Sequence, residues 1–310
     1  MMLKRFSSII LSAAVILGLG MNSVVKAAGS DDQGIDEKYG EPIVVLGETL
    51  SASQKAEVEK LLGVDDSSQV QEITVTGEDL VHYIQGEDRN SHMYSSAKIT
   101  RNDSGNGINV KIVTPENITQ VTADMYKNAL LTAGVENADI EVASPIKVSG
   151  HSALVGIYKA YDSSSSSNDK LDSDRTKVAS QELNVATDLA KNDNLSNDQV
   201  TQLLSEIKQE IANQHPATKA DIEQIVDDKL KSLNIQLSDS DRQLLINLFD
   251  EMRKLNINFG SVKSELSDLS SKLSDKLKNV ASDKGFWQSV ADFFGKIFSA
   301  IGSFFSSLAG

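Results

Sequence analysis

The sequence predicts an α+β or α/β N-terminal domain, a mixed sheet covered by helices, followed by an all-α helical domain with a terminal amphipathic helix. Three observations carry this. Between residues 42 and 161, short segments of period-two alternation are interleaved with segments of helical period, in the order β-α-β-α-β-β-α-β-α. Beyond a serine-rich stretch at 162–170, every apolar pattern has helical spacing. The last residues, 285–310, hold the only tryptophan and most of the phenylalanines, advancing by threes and fours.

The chain opens with processing chemistry. Lys4 and Arg5 precede an apolar run from Ile9 to Leu19, and Val25-Lys26-Ala27 puts small residues at −3 and −1. Residues 1–27 therefore read as a signal peptide cleaved after Ala27. The alternative is an uncleaved anchor, for which the run falls short of the ~20 residues a spanning helix needs. Residues 28–41 are polar and aperiodic and read as a flexible leader.

In the domain 42–161, "PIVVLG" (42–47) is a short apolar strand. It feeds a helix opened by Ser51, with Gln54 three positions on in capping-box spacing. "EITVT" (72–76) alternates as a strand, and "GEDLVHYI" forms a short helix. "AKITR" and "INVKIV" alternate apolar and polar residues around "NDSGNG", which predicts a hairpin turning at Asn106-Gly107. A helix over 117–133 runs to Gly134; strand "ADIEVA" and helix "GHSALVGIYKAY" complete the unit.

Residues 162–170 form a linker by composition. In the helical domain, 171–284, one face gathers Val200, Leu203, Leu204, Ile207 and Ile211; a second gathers Ile222, Ile225, Val226, Leu230 and Leu233. A third holds Leu244, Leu245, Leu248, Phe249, Met252 and Leu255, and a narrow seam runs from Val262 through Leu266, Leu269, Leu273 and Leu277 to Val280. "LSNDQ" and "LSDSD" repeat the helix-start chemistry of "LSASQ".

Certain strings are distinctive together: "VVLGETLSASQKAEVEKLLGV", "SSAKIT…INVKIVTPENIT" and "ASPIKVSGHSALVGIYKAY". On these the chain resembles the YpuA-like family, secreted proteins of Firmicute bacteria classed as a domain of unknown function. The resemblance is strongest over 42–161. It implies export and a Gram-positive cell-envelope setting, and it implies no activity, substrate or catalytic residue.

Composition narrows function further. The full chain carries a net charge of −14; without Lys4, Arg5 and Lys26, 27 basic residues face 44 acidic ones. No basic cluster is present, which argues against nucleic acid. With no cysteine, the chain forms no disulfide and has no thiol to acylate. Four histidines, His82, His92, His151 and His215, lack metal-ligand spacing, so no metal site is expected. Phosphate-cradling glycine loops are missing, and no cofactor is expected. "GHSALVG" misplaces the second glycine of a nucleophile elbow, so Ser152 reads as an early helix residue. S-x-x-K occurs twice, at Ser95–Lys98 and Ser205–Lys208, without a following K-T-G, and in the strand its odd spacing sends Ser95 and Lys98 to opposite faces. No catalytic residue is assigned.

The terminal segment separates into two faces. Phe286, Trp287, Val290, Phe293, Phe294, Ile297, Phe298, Ile301, Phe304, Phe305 and Leu308 lie on one; Ser289, Asp292, Lys296, Ser299, Ser303 and Ser306 lie on the other. Each large apolar side chain gains ~1.5–3 kcal/mol from burial, so this face requires a cover. Three covers are open: its own helical domain, a second copy through self-association, or a membrane surface or envelope protein. The break at Ser282–Gly285 and the glycines at 295 and 302 point to the third. The expectation is thus a secreted, non-enzymatic binding or interaction module that docks through its tail. The alternative is a cell-wall-acting hydrolase whose site gathers Glu78, Asp79, His82, Glu87 and Asp88.

Overall fold

The computed structural model describes residues 40–84, 87–163, 170–192 and 195–282. Strand β1 (Ile43–Gly47) is buried along its whole length, as a continuous apolar run covered on both faces should be. Helix α1 (Ala52–Leu61) starts with the expected capping box: Ser51 accepts from the Gln54 amide, and Gln54 accepts from the Ser51 amide. Strand β2 (Gln71–Val75) returns parallel to β1, with Val45 opposite Ile73. Helix α2 (Gly77–Tyr83) is capped reciprocally by Thr76 and Asp79.

Strands β3 (Ser96–Arg101) and β4 (Ile108–Ile112) occur where alternation predicts them, but they do not pair with each other. Strand β5 (Ala138–Ala143) lies between them, antiparallel to β3 and parallel to β4. The sheet order is β2-β1-β3-β5-β4. The expected hairpin is therefore a split one. Its loop wraps the start of β5: the amides of Gly105 and Gly107 both donate to Asn137 Oδ1, and Ala138 N–H donates to Gly107 O. Gly105 and Gly107 have φ of +96° and +69°, whereas Asn106 does not enter the left-handed region that a tight two-residue hairpin turn demands. The loop's left-handed glycines serve a wider turn with room for a third strand.

Helix α3 (Ala123–Ala133) begins later than the expected 117, because Thr122 caps it, Asn117 closes a turn on Thr114, and residues 118–121 are tied to Val148 and Ser149 by bridge and loop hydrogen bonds. Helix α4 (His151–Asp162) follows β5. On one face of the sheet, α1 closes a small core of Val44, Leu46, Leu50, Val58, Leu62 and Ala143. On the other face, α2, α3 and α4 cover Val45, Ala97, Ile99, Ile140 and Val142.

Five helices complete the described chain: α5 (Ser173–Asn192), α6 (Asn197–Gln214), α7 (Lys219–Ser232), α8 (Asp239–Lys254) and α9 (Lys263–Ser282). Ser196 and Ser238, from the recurring Leu-Ser strings, cap α6 and α8. The apolar stripe of α6 is buried from Val200 to Ile211, and Leu266, Leu269 and Leu273 of the α9 seam are buried too. Leu244 departs from its expected face and lies exposed. Helix α5 packs on α3, and α9 packs on α6. One continuous cluster of buried apolar side chains thus extends from Ile43 in the sheet to Leu266 in α9.

Candidate functional site

The eleven tail residues Phe286, Trp287, Val290, Phe293, Phe294, Ile297, Phe298, Ile301, Phe304, Phe305 and Leu308 lie outside the described residues, as do residues 1–39, where the signal peptide and most of the leader are expected. Among the described residues, two arrangements concentrate polar chemistry.

The first is a cleft of about 210 Å³ between α2, the segment 87–93 and the N-terminal end of α4. Backbone packing places its walls. A Cβ on Gly77 would stand 1.8 Å from Arg89 O, and one on Gly47 would stand 2.2 Å from Met93 O, so segment 87–93 lies directly on the start of α2 and the end of β1. Met93 is held further by hydrogen bonds to both the backbone N–H and the hydroxyl of Thr49. Across the cleft, α4 begins at Gly150, which has no side chain to cap it. Ser95, from the residue just before β3, substitutes: its Oγ accepts from Ala153 N–H at 3.0 Å. Ser95 and Ser152 hydroxyls lie 2.5 Å apart, and Ser149 Oγ lies 3.1 Å from His151 Nδ1. Burial lowers the His151 pKa below its ordinary value, with Asp188 opposing more weakly, so the ring is neutral at neutral pH.

This arrangement holds ligands better than it breaks bonds. Ser152 is bonded to another serine instead of to a base, and Ser95 is occupied as a helix cap. His151 has a hydroxyl neighbour but no carboxylate hydrogen-bonded to its ring. The orienting third member of a nucleophile–base set is missing.

The hydrolase cluster is dispersed. Glu78 forms an exposed ion pair with Arg89, and Asp79 binds Lys159 Nζ at 2.7 Å while capping α2. His82 meets the edge of Tyr83, and Asp88 accepts from Asn90 in a tight turn. Only Glu87 reaches the cleft. Among the described residues, no three His, Asp or Glu side chains group as ion ligands, and no helix is long and apolar enough to cross a membrane.

The second arrangement is sealed. Glu182 of α5 and Lys208 of α6 are 1% and 0% exposed and meet at 2.5 Å. Lys208 Nζ also donates to the backbone and side-chain oxygens of Asn128, and Thr132 and Asn128 donate to Glu182. Burial drives both ionisable groups toward their neutral forms, and their mutual contact opposes it. Ser205, the serine of the second S-x-x-K, bonds Asn128 in the same cluster. Sequence reasoning passed over this cluster, although a signal existed: Lys208 sits within the apolar stripe of α6, four residues after Leu204 and three before Ile211. With no opening to solvent, the cluster joins α3, α5 and α6. A wider groove of about 310 Å³ between α5 and α8 is lined by Asp174, Lys177, Glu251 and Lys254 around Val178, Gln181 and Leu255, with two charges of each sign.

A family model described as "Protein of unknown function (DUF1002)" matches residues 46–269, from the end of β1 to the first turns of α9. The chain belongs to the DUF1002 family. This DUF1002 protein is 39% identical over 277 residues to the uncharacterized protein YpuA of Bacillus subtilis (strain 168), covering 87% of this chain and 91% of that protein. The resemblance read from the three strings is therefore to the family shown. No solved structure matches. The DUF1002 match stops before residue 285, so the apolar tail lies beyond it.

Proposed function

We propose that the protein is a secreted, non-catalytic interaction protein of the cell envelope that docks through residues 285–310 on a membrane surface or an envelope protein. The observation that carries this reading is the way the described body uses its apolar side chains. Among the described residues, Ile146 and Leu244, 37% and 47% exposed, are the large apolar side chains that lie open to solvent. Eleven apolar tail residues at helical spacing need a cover of matching size, and the described surface presents no comparable apolar face. The N-terminal signal chemistry supports export, and the dispersal of Glu78, Asp79, His82 and Asp88 away from Glu87 favours binding over hydrolysis.

Trp287 is the sole tryptophan, so intrinsic emission reports the tail directly. Emission shifting to the blue on adding phosphatidylglycerol–phosphatidylethanolamine vesicles, with the protein sedimenting alongside them, is the expected result. A chain ending at Lys284 is expected to stay in solution. Emission already blue without lipid and unmoved by it would mean that the tail is covered by its own chain or by a second copy, and would overturn membrane docking.

A further inference from the structure

The cleft at the start of α4 offers hydrogen-bonding groups that the fold does not use. Among the described residues, the side chains of Glu87, Ser91, His92 and Gln120 make no hydrogen bond or ion pair. Ser149 and His151 share a single bond, which leaves the second ring nitrogen of His151 unpartnered. The neighbouring Asp79, Asp88 and Glu78, by contrast, are spent on a helix cap, a turn and an ion pair.

Three physical constraints define what fits. The first is size. About 210 Å³ is below the ~300 Å³ at which sites for drug-sized ligands begin, so the cleft admits one six-membered ring or its equivalent. The second is polarity. Serine hydroxyls, an amide and imidazoles both donate and accept, which suits a ligand doing both at several adjacent points, as neighbouring hydroxyls do. Leu80, Met93 and Val148 provide an apolar floor for the ring carbons. The third is charge. Glu87 is the only carboxylate in the lining and no Lys or Arg joins it, so an anion meets no fixed cation whereas an ammonium meets Glu87.

We propose that this cleft binds a monosaccharide-sized polyhydroxylated amine, its hydroxyls bonded by Ser91, His92, Gln120 and Ser149 and its ammonium facing Glu87. The site stands apart from the tail, and its test uses a different reporter, so either reading can fail alone. A ligand this small, in an open cleft with one exposed charge, binds weakly, in the millimolar range.

The four histidines supply the readout: His92 and His151 line the cleft, and His82 and His215 do not. Imidazole proton resonances of the full chain, assigned with H92Q and H151Q, are followed at neutral pH and constant ionic strength. Glucosamine, glucose and inorganic phosphate are titrated separately. The expected result is movement of the His92 and His151 signals with glucosamine, the same movement with glucose at higher concentration, and stationary His82 and His215 signals. Glu87→Gln should weaken glucosamine about threefold, to the level of glucose, as loss of one exposed charge contact implies. Glu87 is exposed, so this variant leaves the fold intact. Stationary cleft signals, equal movement of all four, a response to phosphate in place of glucosamine, or an unchanged preference in Glu87→Gln would each overturn the proposal.

Discussion

Glu182 Oε1 accepts a hydrogen bond from Lys208 Nζ at a point where neither side chain touches solvent. Taking both charges out of water is costly, and the cost is offset only because Asn128 and Thr132 complete the coordination of the pair. Breaking the pair from one side strands the other charge. Lys208→Met alone should lose about 3–5 kcal/mol of unfolding free energy in urea titration. The double variant Glu182→Leu with Lys208→Met should lose less than the sum of the two single losses. Additive losses would show that the two groups do not depend on each other.

Ser95 replaces the cap that Gly150 cannot provide. Ser95→Ala should therefore destabilise the protein by about 1 kcal/mol, the ordinary cost of a lost N-cap, although the serine belongs to another element. Amide exchange supplies the local check: Ala153 N–H should exchange faster in the variant, with the amides of α9 unaffected.

Gly77 is needed for close approach, since its missing Cβ is where Arg89 O sits. Gly77→Ala must push segment 87–93 away and should cost about 1–3 kcal/mol, the usual range for overpacking. The His92 resonance should move in the same variant. A stable variant with an unmoved His92 would mean that the segment is not seated on α2.

His151 makes stability depend on pH. Burial depresses its folded pKa below the ordinary 6.5, so the unfolded chain takes up its proton first as the solution is acidified. The neutral ring's contribution is fully present above about pH 6.5 and is lost as pH falls from there through the folded pKa. Thermal midpoints measured between pH 8 and 5 should decline, and His151→Gln should flatten that decline. An identical pH profile in the variant would count against a buried neutral ring.

Local chemistry was the most legible part of the fold. Ser51, Ser196 and Ser238 cap the helices their spacing announced, β2, β3 and β4 lie where alternation put them, and β1 lies where its apolar run did. Pairing was harder to read, because adjacency in sequence favours a β3–β4 hairpin while Asn137 and the loop around it leave room for β5. The cleft was illegible for a similar reason: Glu87, Gln120 and His151 come from three separate segments, and nothing in their sequence neighbourhoods refers to the others. The second S-x-x-K was set aside as a catalytic motif, yet its lysine has a structural partner 26 residues away in Glu182.

Because β5 fills the slot between β3 and β4, the sheet cannot be completed in the order in which a ribosome supplies its strands. A chain growing from its N-terminus holds β3 bonded on one side only, and β4 bonded to no strand, until residue 143 has emerged. A fragment ending between Ile112 and Ala138 leaves the edges of β3 and β4 that face β5 without their native partner, and the closing step joins segments distant in sequence.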